Sequence, residues 1–510
     1  MGICTAPPTA VRPPVGALHL PRIVRTLSLA CAIAVVGGCG GPALPELKPD
    51  MPLAWQHASA ANSPAPDLRS WWKAFNDPEL DRLIEQALAG NLTVRQAELH
   101  IKAARTLARH TNSDFLPQLG LHTFAEPTPD SAASYFQLGF DAEWEFGFFG
   151  RATSQSRVTS ADLGIAQSDM QAARVSVVAE TARVYIEMRG EQQRLGLLEQ
   201  LVANTRDKVA LTKTRERLRM ASPNDLARAQ AEEASAQAAL YEPQLAIDRC
   251  RRQLAVLLGR SEPEDTLVAA GAAPQLGDLR IDTAPADLLR TRPEIRRAEN
   301  AVLKAAGAAG LARSDMFPHL GLGGSLTYSA KVIGHTKLND ADGIVSFGPV
   351  IDIPLFDWGA RQAIYHARDA ELSASVYAYR QAVLDGVAET ETAMATLEQQ
   401  RERAVLLRHG LGTVEQGVAA NAALGGLGLA DGFDRAASNI ALVQARLEMA
   451  GAEQARCIAF IALYKAMGGA PLPSGSASSR EDKDGDQGSL EPAGRDANRT
   501  SASKRNGVGR

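Results

Sequence analysis

Aromatic residues are scarce in this 510-residue chain: Phe, Tyr and Trp together make up 5%. So few large rings do not fill several compact cores, although the length alone predicts about three domains. Cysteine is as rare, with five in the chain, which excludes a disulfide-stapled scaffold. Neither sign of charge dominates: 54 Lys and Arg face 58 Asp and Glu, a net of −4. That balance leaves no whole-chain electrostatic footprint for nucleic acid. Beyond the N-terminal region no run of 18 apolar residues occurs, so no membrane-spanning helix is expected. Hydrophobic residues at 45% and charged residues at 22% nevertheless match folded proteins and exclude global disorder.

Chemistry-bearing patterns are missing as well. The nine His form no HExxH pair, and neither CxxC nor a Ser elbow occurs. Gly425-Gly426-Leu427-Gly428 does not follow a strand, so it is not a phosphate loop. No enzymatic activity, metal site or dissociable cofactor is expected. Cys250 and Cys457 sit at non-identical repeat positions and read as buried free thiols.

What is present begins with an address. Arg12, Arg22 and Arg25 precede a short apolar run from Leu27 to Val36, too short to span a bilayer and typical of a secretory signal. The run ends in Val36-Gly37-Gly38-Cys39, which resembles a bacterial lipobox. Residues 1–38 are therefore expected to be a lipoprotein signal peptide, and Cys39 the lipidated first residue of the mature chain. Gly40 does not resemble the Asp that retains lipoproteins at the inner membrane. Residues 39–70 are Pro- and Ala-rich and read as an extended linker. Residues 470–510 are Ser, Gly, Asp and Arg-rich and read as a disordered polar tail.

Between these ends the chain repeats itself. Ser113-Asp114-Phe115-Leu116-Pro117-Gln118-Leu119-Gly120-Leu121 recurs 201 residues later as Ser314-Asp315-Met316-Phe317-Pro318-His319-Leu320-Gly321-Leu322. Val178-Ala179-Glu180-Thr181 recurs 209 residues later as Val387-Ala388-Glu389-Thr390, and Gly150/Gly359, Asp225/Asp434 and Gly259/Gly468 keep that offset. The second copy has gained eight residues between the positions of Leu121 and Gly150, as a surface loop permits. Repeat 1 is placed at 71–284 and repeat 2 at 285–469. Each is expected to hold a helix (91–114, 292–316), two strands, a very long helix (151–218, 359–421) and a returning helix (224–259, 432–467). A helix over 151–218 is roughly 100 Å long and calls for a coiled-coil-like assembly. The helices over 91–114 and 224–259, end to end, would match it.

The strands carry a membrane signal. From 134 to 148, Phe136, Leu138, Phe140, Ala142, Trp144, Phe146 and Phe148 share one face, and Tyr135, Gln137, Gly139, Asp141, Glu143, Glu145 and Gly147 the other. In the second half Val345, Phe347, Pro349, Ile351, Ile353 and Leu355 oppose Ser346, Gly348 and Asp352. Strands of about ten residues with aromatic ends fit an outer-membrane barrel. Four strands do not close one, so several chains must contribute, and three would give about twelve.

With these features on view, the chain is similar to a known family. Trp71-Trp72-Lys73-Ala74-Phe75-Asn76-Asp77-Pro78-Glu79-Leu80 resembles the opening signature of TolC-like outer membrane efflux proteins, nearest the lipidated OprM/NodT-type branch. Leu288-Leu289-Arg290-Thr291-Arg292-Pro293-Glu294-Ile295-Arg296-Arg297-Ala298-Glu299, Pro354-Leu355-Phe356-Asp357-Trp358-Gly359 and Leu463-Tyr464-Lys465-Ala466-Met467-Gly468-Gly469 resemble it too. The resemblance implies an α+β membrane protein with an internal duplication. Its trimer is a 12-stranded outer-membrane β-barrel, four strands per chain, continued by a periplasmic α-helical coiled-coil barrel. It also implies a homotrimer set in outer-membrane lipid, with a periplasmic adaptor and an inner-membrane efflux transporter as partners, and export of small molecules through a gated conduit. The local role of the signatures is expected to be structural: Pro293 suits a helix first turn, with Glu294 beside the N-terminus.

Working residues follow from position. The breaks between long helices are expected to be periplasmic tips that dock the adaptor: Met220, Ala221 and Ser222 in the first, Gly428, Leu429 and Ala430 in the second. Gly428-Leu429 fits the family pattern, and Arg219-Met220 departs from it at the Gly. Asp431, Asp434, Arg435 and Arg228 are gate candidates near the tips; the family's frequent gate Asp aligns with Ala437 here. Asp141, Glu143, Glu145 and Asp352 are expected to face the barrel lumen. Two other readings remain at this point, a conduit for type I polypeptide secretion and a structural envelope lipoprotein with no open path.

Overall fold

The computed structural model describes residues 44–47, 55, 67–126, 135–269, 271–277, 291–331 and 343–472. Cys39, the signal segment and the polar tail from 473 lie outside the described residues. The unit described below ends at Ala470.

Its elements run α1 (Pro78–Gly90), α2 (Leu92–His110), β1 (Gln118–Glu126), β2 (Tyr135–Glu145), α3 (Arg151–Arg217), α4 (Pro223–Ala238), α5 (Tyr241–Leu257), α6 (Pro293–Ser314), β3 (His319–Lys331), β4 (Gly343–Asp352), α7 (Ala360–Gly426) and α8 (Gly432–Ala466). α3 and α7 have 67 residues each, the roughly 100 Å rods that the Ala-rich periodicity calls for. α2 packs beside the start of α3, and α4 and α5 return along its far part. The ion pairs Arg194–Glu242 (2.9 Å) and Lys208–Glu232 (2.6 Å) tie that return.

The duplication is legible in the backbone. Among the described residues nine have positive φ, and eight of them form four pairs 209 apart: Phe149/Trp358, Gly150/Gly359, Arg219/Gly428 and Gly259/Gly468. The first two pairs turn each sheet strand into a long helix, and the last two end helices. Both halves thus solve the same corners with the same left-handed residues.

Four boundaries differ from the sequence expectation. The returning helix 224–259 is two helices, α4 and α5, joined at Ala239-Leu240. Pro243 cannot donate to the carbonyl four residues back and its ring crowds it, so the helix restarts just before. Its repeat mate Ala452 has no such effect, and α8 is continuous. α7 runs five residues beyond 421, because Ala-rich sequence carries Gly425 and Gly426 into the last turn. β2 stops at Glu145, so Phe146 and Phe148 lie in the strand-to-helix corner, Phe146 edge-on to Trp144 at a centroid distance of 4.7 Å and to Phe148 at 5.8 Å. β4 stops at Asp352, leaving Ile353 and Leu355 beyond it.

The sheet has the order β1-β2-β3-β4, all antiparallel. Pro349 sits within β4, where an edge strand tolerates a residue with no N–H. At the seam between the repeats, α3 lies along α6, and β2 pairs with β3. The helices approach closely there: a Cβ on Gly307 would stand 2.7 Å from Val158 Cγ2 and 2.9 Å from the Ser154 carbonyl oxygen.

The main core lies far from the sheet. Trp71 is fully buried, its ring stacked on Tyr464 (5.6 Å) and edge-on to Trp72 and Phe460 (both 6.0 Å), and its indole N–H donates to the Gly469 carbonyl at 3.0 Å. Leu80, Leu83 and Ile84 of α1, Tyr185 and Met188 of α3 and Leu254 of α5 complete this collar. Asp77 caps α1 and accepts a hydrogen bond from the Tyr185 hydroxyl at 2.8 Å. Burial pushes the Tyr185 hydroxyl up to about 12, so it stays a neutral donor. The opening and closing signatures therefore meet in one collar and are structural. Buried Arg189 and Arg456 donate to the Ala269 and Leu276 carbonyls and hold the segment between repeats against the helices.

Candidate functional site

Two surfaces carry the sequence-derived site residues. The first is the pair of helix tips. α3 ends in a left-handed Arg219 (φ 58°), whose N–H donates to the Glu216 carbonyl (2.8 Å) while the Met220 N–H donates to that of Arg215 (2.7 Å). α7 ends on Gly428 (φ 71°), with the Gly428 N–H on the Gly425 carbonyl (3.1 Å) and the Leu429 N–H on that of Leu424 (2.9 Å). These are the same C-terminal motif on equivalent residues. A reciprocal capping box then opens each following helix. Ser222 accepts the Asp225 N–H (3.2 Å) and Asp225 accepts that of Ser222 (2.8 Å). Asp431 and Asp434 exchange the same pair at 3.0 and 3.3 Å. The turn leaves Met220 68% and Leu429 73% exposed, beside exposed Leu218 and Leu427. Ala221 and Ala430 are half-buried beneath them. Only glycine adopts the left-handed turn freely; a side chain there, as in Arg219, costs about 1 kcal/mol.

The four gate candidates part company here. Asp431 forms an ion pair with Arg215 at 3.1 Å, joining the end of α3 to the start of α8. The Arg215 guanidinium also lies 4.7 Å from the Phe433 ring centroid, and Lys208 Nζ approaches the same ring at 6.0 Å. The Asp431 carboxyl is held below the usual carboxylate range, first by the Asp434 N–H and then by Arg215. Asp434 is engaged in the capping box, Arg435 lies over Gly425, and Arg228 is exposed with no ion pair among the described residues. Sequence reasoning missed Arg215 and Phe433. One signal was available: their repeat mates, Leu424 and Asn224, can supply neither a cation nor a ring.

The second surface is the sheet. Its apolar face is open: Leu138, Phe140, Trp144, Val345, Phe347 and Ile351 are all exposed. On the opposite face Asp141 pairs with His122 (2.7 Å), and Ser325 with Ser346 (2.8 Å). Glu145 meets Arg151 (3.0 Å) and His319 (3.2 Å), and Arg151 reaches on to Asp315 (2.5 Å). Glu145 thus belongs to the corner where strand turns into helix. Glu143 lies opposite Gln118 and Gly323, and Asp352 opposite His319. All four acids share the polar face. Among the described residues no strand pairs with the outer side of β1 or β4, so each is an open edge. Among the described residues, no helix is long and apolar enough to cross a membrane.

Known proteins share this architecture. The chain is 29% identical over 355 residues to the toluene efflux pump outer membrane protein TtgF of Pseudomonas putida, covering 65% of this chain and 72% of that protein. It is 26% identical over 397 residues to the pyoverdine export outer membrane protein OpmQ of Pseudomonas aeruginosa, covering 74% and 82%. The solved structure of the outer-membrane channel OprN superposes with a TM-score of 0.72 at 27% identity, covering 85% of this chain and all of that one. The family model described as outer membrane efflux protein matches residues 83–260 and again 284–469, one match in each repeat, and the chain belongs to that family.

Proposed function

We propose that three copies of this chain close their sheets into one twelve-stranded barrel, and that their tips dock a periplasmic adaptor fed by an inner-membrane transporter. The chain is the outer-membrane channel component of an efflux pump. The observation that carries the closure is the sheet with two open edges and a bare apolar face. In lipid every backbone polar group needs a partner, so such a sheet must join others.

The seam between the repeats supplies the template. The repeat mates of α3 and β2 are α7 and β4, and those of α6 and β3 are α2 and β1. The free β4 edge and α7 of one copy therefore fit the free β1 edge and α2 of the next, head to tail, until the ring closes. Exposed Leu92, Leu99 and Leu107 on α2, and Ile364 and Tyr377 on α7, are apolar surface that this seam would cover. The relatives named for toluene and pyoverdine support small molecules as the exported class. In a planar bilayer the purified protein is expected to give discrete conductance steps; a stalk without an open path gives none.

The Arg215–Asp431 pair and the Phe433 ring are read as the lock that keeps the tips together. In the lumen, Asp141, Glu143 and Asp352 favour cations. Changing these three to Asn, Gln and Asn is expected to move the reversal potential under a KCl gradient toward zero. Glu145 is left in place because it holds the corner through Arg151. Cys39 is read as the lipid anchor, so radioactive palmitate should label the wild type and not Cys39→Ala. Equal labelling of both would remove the anchor from the account.

A further inference from the structure

The two tips share a backbone and differ in charge. From Arg206 to Arg228 there are seven Lys and Arg against three Asp and Glu. The equivalent stretch 209 residues on, Glu415 to Ala437, has one against three. In the first stretch Arg206, Lys208 and Arg215 are used in ion pairs with Glu233, Glu232 and Asp431. Lys213, Arg217, Arg219 and Arg228 are exposed and form no ion pair among the described residues. A basic last turn complements the helix dipole, which accounts for Arg217. It does not account for Arg219, which lies past the helix end in the left-handed turn that Gly428 fills in the other half. A side chain in that conformation carries strain that Gly428 avoids, and what Arg219 adds in exchange is an exposed charge. Beside it stand the exposed Leu218 and Met220, an apolar pair interleaved in sequence with Arg217 and Arg219.

We propose that the repeat-1 tip is a basic docking site for an acidic surface of the periplasmic adaptor, whereas the repeat-2 tip, uncharged from Gln416 to Ala430, takes an apolar one. The proposal rests on the adaptor reading above. A second copy of this chain is the poorer occupant, because the acids of the repeat-2 stretch are already engaged: Glu415 with Arg446 (3.2 Å), Asp431 with Arg215, and Asp434 in its capping box. The six tips of the ring then form two classes of site, and adaptor units seated on them are not equivalent.

The test uses the full channel in lipid nanodiscs and, as probe, the adaptor that co-purifies with wild-type channel from its own cells. Wild-type affinity is expected to weaken as NaCl rises from about 50 to about 500 mM. The double variant Arg217→Glu/Arg219→Glu is expected to bind about tenfold more weakly or worse and to lose that salt dependence. Arg219→Gly relaxes the turn while removing one charge, so it should fold at least as well as wild type and bind a few-fold more weakly, in keeping with a rim charge. Leu429→Asp is the control for tip docking as such. If Leu429→Asp abolishes binding and the double variant binds like wild type, the acidic partner is refuted and tip docking stands. If no adaptor co-purifies, or both variants bind like wild type, the docking reading itself fails. If the double variant instead loosens the trimer on a native gel, a second copy is the occupant and the proposal is overturned.

Discussion

Arg215→Ala and Asp431→Asn are each expected to raise the open fraction of the reconstituted channel by on the order of tenfold, the scale of a typical coupling between two states. Both remove one ion pair per chain at the proposed lock, and in the proposed ring of three the effect is multiplied. The choice of variants separates gating from folding. Asp431 also caps α8, so Asp431→Ala would mix a lost cap with a lost lock. Asp431→Asn keeps the capping oxygen, and Arg215→Ala leaves the cap untouched. Phe433→Leu removes the ring beneath the guanidinium and should have a smaller effect in the same direction. The pH dependence follows from the lowered Asp431 carboxyl. A carboxylate favoured in the folded state supplies its contact above its ordinary value of 3.8, and loses it as pH falls through the lower folded value. The wild-type open fraction should therefore be flat from about pH 8 to about pH 5 and rise only in stronger acid. A channel that opens between pH 7 and 6 would place its lock elsewhere.

The second large effect is on stability. Trp71→Ala should destabilise the collar by about 3–5 kcal/mol, the range for emptying a fully buried large aromatic site. Trp71→Phe keeps most of the ring contacts with Tyr464 and Phe460 and leaves the Gly469 carbonyl without its 3.0 Å donor. That loss is about 1–3 kcal/mol. Thermal melting of detergent-solubilised protein checks the order wild type, Trp71→Phe, Trp71→Ala. Equal melting of all three would mean that the collar does not hold the N-terminal segment to α8.

How much of this was legible follows from where each signal lies. The duplication was, because each corner needs the same residue type at the same offset, as Gly150/Gly359 and Gly259/Gly468 show. The strand faces were legible from period two, since Asp141, Glu143 and Glu145 alternate with Phe140, Ala142 and Trp144. Strand ends were not: apolar alternation continues through Phe148, although the strand ends at Glu145 and the corner follows to Phe149 and Gly150. The α4–α5 break has a sequence signal in Pro243, which the expectation of one helix over 224–259 did not use. The Arg215–Asp431 pair stayed hidden because the two residues belong to different repeats and meet only through the packing of α3 on α8. The scarce aromatics divide between two places. Twelve of the eighteen Phe and Trp do lie in or beside the strands, yet Trp71, Trp72, Phe75 and Phe460 are the collar. Their partners come from opposite ends of the chain, which no local pattern reveals.

The closure of three sheets into one barrel is tested most directly by a disulfide across the expected seam. Carrying the in-chain pair Glu143↔Gly323 to the repeat mates sets Asp352 of one copy opposite His122 of the next. Within one chain these residues lie on opposite edges of the sheet, at least about 14 Å apart at the usual strand spacing and further for their offset in register, too far for a disulfide. The double variant His122→Cys/Asp352→Cys, oxidised in membranes and run without reductant, is expected to give a ladder of one, two and three chains that ends at three, with neither single variant forming the trimer. A double variant that stays monomeric, or a ladder that ends at another number, would contradict the barrel.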